Sequence, residues 1–176
     1  LYFDGARLGY GLQSPGNDVT LEDIDRLTDV FYIGGTKVGI LMGEAIVFPR
    51  GSGLDANFRS MIKQNCSMLA KGRLLGVQFE ALFPDGLYEE MGKHAVDQAM
   101  RIKEAFKDKG YRFLVDSPSN QQFLFLPRDA KDKLSKDYAF ECEGDVGQEE
   151  FLVRFCTSWA TPKESVDKLL ESIKSL

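Results

Sequence analysis

VFYIGGTKVGILMGEAIVF, residues 30–48, sets two apolar runs on either side of a glycine-bracketed turn that carries a single lysine, Lys37. The run 30–33 reads as a buried strand closed by Gly34, Gly35 and Thr36. From Lys37 to Gly43 there is no room for a helical crossover, so the run 44–48 is expected to return antiparallel to the first. Upstream, residues 1–3 read as the end of another buried strand that delivers Asp4 and Gly5 at its carboxyl end. Between the two, Thr20 followed by Asp23 is a helix start, and Leu21, Ile24 and Leu27 keep helical spacing to about Thr28. Strand, helix and strand in so few residues make a βαβ unit, so 1–3 and 30–33 are expected to pair in parallel.

Beyond Phe48, residues 49–53 read as a turn, and 54–82 are helical in propensity, with Gly72 and Gly76 marking a break or a close helix contact. Pro84-Asp85-Gly86 is a stop, and 87–108 resume as a long helix ended by Gly110. The character then changes to short strands near 112–115, 121–126, 138–142 and 151–156, with a helix near 128–134. Pro162, read at the first helical position behind Thr161, opens a last helix to about Lys174. The expected division is therefore an α/β part over residues 1–85 and a smaller α+β part over 86–176.

Composition narrows the function classes. A chain of 176 residues, 43% hydrophobic, can bury a core, which argues against disorder. Its net charge of −5, with scattered basic residues, gives no footprint for nucleic acid. Three widely spaced cysteines and one histidine point to reduced thiols rather than a disulfide frame or a structural zinc site. No apolar run approaches the roughly 18 residues of a membrane span, and no basic-then-apolar leader opens the sequence, so a cytoplasmic protein acting on small molecules is expected, with no membrane partner. The opening LYFDGARLGYG starts inside an aromatic strand-like stretch, as the back part of a longer protein would.

The topology gathers charge at one place. Ligands of open α/β sheets sit beyond the carboxyl ends of the parallel strands, and here Asp4 stands at one such end, Arg7 three residues on, and Lys37 just past the other. A structural ion pair between Asp4 and Lys37 is one reading. The other rests on Gly34, Gly35 and Gly39, which leave room for a flat ligand or a phosphate. A lysine among such surroundings can act as an amine nucleophile towards a carbonyl. Pyridoxal 5'-phosphate is the cofactor that uses a lysine together with a carboxylate, the latter keeping its pyridine nitrogen protonated.

FDGARLGYGL and YIGGTKVGILMGEAIVF, followed by KGRLLGVQFEALF, SNQQFLFLP and FLVRFCTSWATP, resemble the second half of the low-specificity threonine aldolases, within the β-eliminating lyase and threonine aldolase group. The resemblance implies the carboxyl part of the large domain of a fold type I pyridoxal phosphate enzyme, followed by an α+β small domain. It also implies an aldehyde-lyase that cleaves threonine and related β-hydroxy amino acids to glycine and an aldehyde. Carried over, Asp4 pairs with the pyridine nitrogen and Arg7 bonds near the cofactor phenolate or the substrate carboxylate. Lys37 forms the Schiff base. Arg154 grips the substrate α-carboxylate, a role that suits a planar fork, and Arg73 reaches the cofactor phosphate of a neighbouring subunit. For Arg154 and Arg73 a solvent-exposed side chain is the plain alternative. His94 reads as a solvated helix residue among Lys93, Asp97 and Gln98. The group implies a homodimer or homotetramer. β-Elimination by the same residues and a non-catalytic fragment stay open as alternatives.

Overall fold

The structure, a computed structural model, describes residues 1–145, 147 and 149–176. It divides into two compact units, one of residues 1–13 and 17–92, the other of 14–16 and 93–176.

The first unit is built on a three-stranded sheet in the order β1 (Tyr2–Phe3), β2 (Val30–Gly34), β3 (Glu44–Val47). β1 and β2 run parallel, with Tyr2 beside Val30 and Phe3 beside Phe31; β3 returns antiparallel, with Gly34 opposite Glu44. The crossover contains two helices, α1 (Leu8–Leu12) and α2 (Leu21–Leu27). α2 begins on a reciprocal cap, in which Thr20 Oγ1 accepts from the Asp23 N–H and the Asp23 carboxylate accepts from the Thr20 N–H. α1 has no sequence signal, because its glycine-rich LGYGL lacks a side-chain cap. It is held by the Tyr10 and Gly11 N–H groups donating to the Arg7 carbonyl. A second difference is that β1 is exposed rather than buried, with Tyr2 at 59% and Phe3 at 37% exposure, because among the described residues β2 is its only neighbour in the sheet.

The helical stretch after β3 is broken in the middle. α3 (Phe58–Gln64) ends where Cys66 adopts a left-handed φ of 55°, and the Ser67 N–H folds back to the Ile62 carbonyl at 2.9 Å. α4 (Arg73–Leu82) then starts afresh, with Gly72 before it and Gly76 inside it. A short 3₁₀ turn, Pro84–Gly86, in which Asp85 has φ 60°, leads into α5 (Leu87–Asp108), the helix within which the two units change over.

The second unit is an antiparallel sheet in the order β4 (Gln121–Pro127), β6 (Glu150–Cys156), β5 (Glu141–Asp145), with α6 (Arg128–Leu134) and α7 (Lys163–Lys174). Leu124 faces Val153 and Leu126 faces Phe151, and this side of the sheet closes over Ile102 and Phe106 of α5 and Val166, Leu169 and Ile173 of α7. The period of two therefore puts Arg154, opposite Phe123, on the other face. The stretch 112–115 contributes only an isolated bridge from Phe113 to Leu124, and the strand expected at 138–142 lies at 141–145. Pro162 is extended (φ −66°, ψ 136°) and sits before the first helical residue rather than at it; its carbonyl accepts from the Ser165 and Val166 N–H groups. Among the described residues no helix is long and apolar enough to cross a membrane.

The parallel pair rests on a close backbone approach. The Gly34 N–H donates to the Gly5 carbonyl at 2.9 Å, and a Cβ on Gly5 would lie 1.8 Å from the Tyr32 carbonyl oxygen. Gly5→Ala is therefore expected to cost about 3 kcal/mol, the upper end of what overpacking costs. Gly11→Ala, in α1 with nothing within 4 Å of the added methyl, should stabilise by up to about 1 kcal/mol. Urea unfolding of the two variants checks the opposite signs.

Candidate active site

Asp4 follows β1 directly, so the parallel register carries it to Tyr32 of the neighbouring strand. The Tyr32 hydroxyl donates to Asp4 Oδ1 at 2.5 Å and the Ala6 N–H donates to the same oxygen at 3.0 Å. Among the described residues Asp4 Oδ2 has no hydrogen-bond partner. The Tyr32 hydroxyl, then the Ala6 N–H and the charge of Lys37, hold the Asp4 carboxyl below its ordinary range. The same bond, with some burial, pushes the Tyr32 hydroxyl up to about 12. Asp4 and Lys37 form no ion pair within 4.0 Å, which removes the structural-pair reading. What remains is a carboxylate that is ionised, anchored through one oxygen and open at the other.

Lys37 lies in the turn after β2, with its side chain exposed and making no hydrogen bond or ion pair among the described residues. Its backbone is held firmly. The buried Tyr10 of α1 donates its hydroxyl to the Lys37 carbonyl, and the Val38 and Ile40 N–H groups both donate to the Gly35 carbonyl. Glu44 ties the two ends of the turn together: its Oε2 accepts from the Gly35 N–H at 2.7 Å and its Oε1 from the Thr36 hydroxyl at 3.3 Å. The glycines serve this construction rather than leaving room for a ligand. A Cβ on Gly34 would meet the Ala6 carbonyl oxygen at 2.3 Å, one on Gly35 the Gly43 carbonyl oxygen at 2.7 Å, and Gly39 needs its φ of 94°. The amine is exposed among the described residues, on a turn whose backbone is tied by Glu44 and Tyr10.

Arg7 stands at the start of α1, exposed and without a side-chain partner among the described residues. The first unit thus brings Asp4, Arg7 and Lys37 to the carboxyl edge of the parallel pair. Arg73, the first residue of α4, lies elsewhere in that unit. It is exposed, only 3.9 Å from Glu80 as its nearest charge partner, and lines an open cavity of about 700 Å³ with Arg59, Lys63 and Cys66. None of Asp4, Arg7 and Lys37 lines that cavity.

Arg154 belongs to the second unit. Its Nε is 3.0 Å from Glu143 Oε1, close enough for an ion pair but off the alignment of a hydrogen bond, and its terminal nitrogens carry no hydrogen bond among the described residues. With 30% side-chain exposure it is neither the solvated strand arginine nor a wholly enclosed one. His94 departs from the sequence reading: it is half-buried, and its Nε2–H donates to the Thr161 carbonyl at 2.8 Å, steadying the loop before α7. The sequence reading missed Tyr32 and Glu44. Tyr32 was legible in principle, because pairing 1–3 in parallel with 30–33 sets it beside Asp4.

No family model matches the chain. It is 28% identical over 99% of its length to the low-specificity L-threonine aldolase of Pseudomonas aeruginosa, covering 49% of that protein, and 27% identical to that of a Pseudomonas species, covering 50%. The threonine aldolase of Leishmania major matches with a TM-score of 0.94 and 40% identity, over 99% of this chain and 51% of that one. Serine palmitoyltransferase from Sphingomonas wittichii matches at a TM-score of 0.66 with 14% identity, over 99% of this chain and 46% of the other. The chain spans about half the length of the relatives it matches. Its fold is therefore that of the fold type I pyridoxal phosphate enzymes, of which it represents about half a subunit. Within that class its sequence is similar to the carboxyl-terminal half of the low-specificity L-threonine aldolases.

The Glu44 tie gives a direct test of how the lysine turn is held. Glu44→Ala should speed hydrogen exchange at the Gly35 amide about tenfold, the worth of one charge-assisted bond at a partly exposed site. Glu44→Gln should leave it near the parent rate. An unchanged rate in the alanine variant would show that the turn stands without Glu44.

Proposed function

We propose that the chain is the catalytic-lysine half of a pyridoxal phosphate-dependent lyase that cleaves threonine and other β-hydroxy amino acids to glycine and an aldehyde. The observation that carries this reading is the pair at the sheet edge: an anchored carboxylate with a free oxygen, and an exposed amine on a rigid turn. These are the two groups the cofactor requires, and they fit it. When bound, the cofactor supplies an electron sink for the bond broken at the α-carbon.

Each residue then has a defined task. Asp4 would hold the cofactor at its ring nitrogen through the open Oδ2, a role for which it has to be ionised. Lys37 would hold the cofactor through its amine, and the same Nζ could carry a proton to and from the substrate α-carbon. Arg154 meets the substrate α-carboxylate with its two free terminal nitrogens, while Glu143 steadies Nε. Arg7 binds beside the ring hydroxyl or the same carboxylate, and Arg73 serves the phosphate site of a neighbouring subunit. That last role implies a homodimer or homotetramer, in keeping with a cytoplasmic enzyme. Homology to threonine aldolases favours aldol cleavage over β-elimination.

Two measurements on the full enzyme containing this chain test the reading. Borohydride treatment should attach the cofactor to Lys37, and Lys37→Ala should abolish the attachment; trapping on any other residue overturns the assignment. Threonine should give glycine and acetaldehyde, whereas pyruvate and ammonia from serine would favour elimination. Arg154→Lys should raise KM about 10–100-fold with a smaller change in kcat, the worth of a bidentate charge-assisted contact.

A further inference from the structure

Asp4 has two carboxylate oxygens and the protein treats them differently. Both donors, the Tyr32 hydroxyl at 2.5 Å and the Ala6 N–H at 3.0 Å, go to Oδ1, and among the described residues none goes to Oδ2. The Ala6 bond comes with the local turn and restrains the carboxylate from one side only. Tyr32 comes from the adjacent strand, 28 residues away in sequence, so its bond is set by the parallel register. Its ring lies 6.3 Å from that of Tyr2 in a tilted arrangement. Two donors converging on one oxygen from different segments restrain the carboxylate at Oδ1 and leave Oδ2 available to a further donor.

We propose that Tyr32 is a positioning residue: it locks Asp4 through Oδ1 so that Oδ2 is reserved for the N–H of a cationic heteroaromatic ring. The role rests on the cofactor reading above and adds to it the residue that makes the carboxylate directional. Tyr32 need not touch the cofactor. It acts through Asp4 by denying Oδ1 to any other donor and by preventing rotation that would exchange the two oxygens. A bond of this length also favours the ionised carboxylate over the acid, which keeps the receiving oxygen an acceptor.

Two titrations on the chain itself test the contact. In ¹³C-labelled protein, Tyr32→Phe, which keeps the ring and removes only the hydroxyl, should raise the Asp4 carboxyl pKa towards its ordinary value of about 3.9. Conversely, Asp4→Asn should bring the Tyr32 hydroxyl down from about 12 towards about 10, read by tyrosinate absorbance. The second titration stands even if the first variant is poorly folded.

The role is then tested in the full enzyme loaded with pyridoxal 5'-phosphate labelled with ¹⁵N in the ring. Tyr32→Phe should shift the ring-nitrogen titration in the same direction as Asp4→Asn but less far, and the double variant should match Asp4→Asn alone. An Asp4 carboxyl indifferent to Tyr32→Phe, or additive shifts in the double variant, overturns the positioning role. A ring nitrogen indifferent to Asp4→Asn, with the Asp4 and Tyr32 titrations still coupled, instead overturns the cofactor reading and leaves the contact between the two residues standing.

Discussion

The close approach of the Asp4–Arg7 segment to β2 is the constraint on which the rest of the first unit depends. The Gly5 carbonyl accepts from the Gly34 N–H, and neither glycine has space for a methyl group. This contact sets the end of the parallel pairing, and with it which residue of β2 stands beside Asp4. It also fixes where β2 stops and the lysine turn begins. The carboxylate and the amine are therefore placed by backbone geometry, with side chains making the finer adjustments. Such an arrangement gives a precise site on a small sheet, because hydrogen-bonded strands are stiffer than the loops that follow them.

The two arginines proposed for substrate recognition are held quite differently. Arg7 lies in the same segment as Asp4, so it shares that segment's constraints at its backbone while its side chain stays free. Arg154 sits in mid-strand on the face of the second sheet that the helices leave open, steadied at Nε by Glu143. A guanidinium engaged on one side and free at its terminal nitrogens is a partly ordered fork. Less side-chain entropy is lost when a carboxylate arrives.

What the sequence discloses follows the range of the interactions involved. The order strand, Asp4, helix, strand, Lys37, strand is carried by local periodicity and by the short spacing between 37 and 43, so the α/β pattern around the site could be read directly. The reciprocal cap at Thr20 and Asp23 is equally local. The short helix α1 was not legible, because its glycines argue against a helix and it is held by contacts that local periodicity does not show, among them the Tyr10 hydroxyl on the Lys37 carbonyl. Nor was the break at Cys66, where a non-glycine residue takes a left-handed conformation that propensity disfavours. Tyr32, Glu44 and His94 matter through partners 28, 9 and 67 residues away. Helical spacing made His94 look solvated because nothing near it in sequence announces the Thr161 carbonyl. The glycines of the turn were read as clearance for a ligand. They are close backbone contacts, a distinction that depends on what lies across the chain from each.

The exposure of β1 bears on how the chain behaves in bulk solution. Among the described residues the outer edge of β1 has no strand partner, and the rings of Tyr2 and Phe3 beside it are exposed. Such an edge is a template for intermolecular strand pairing. The net charge of −5 opposes self-association only over a Debye length, about 8 Å in physiological salt. Raising the salt shortens that range and so weakens the repulsion between copies.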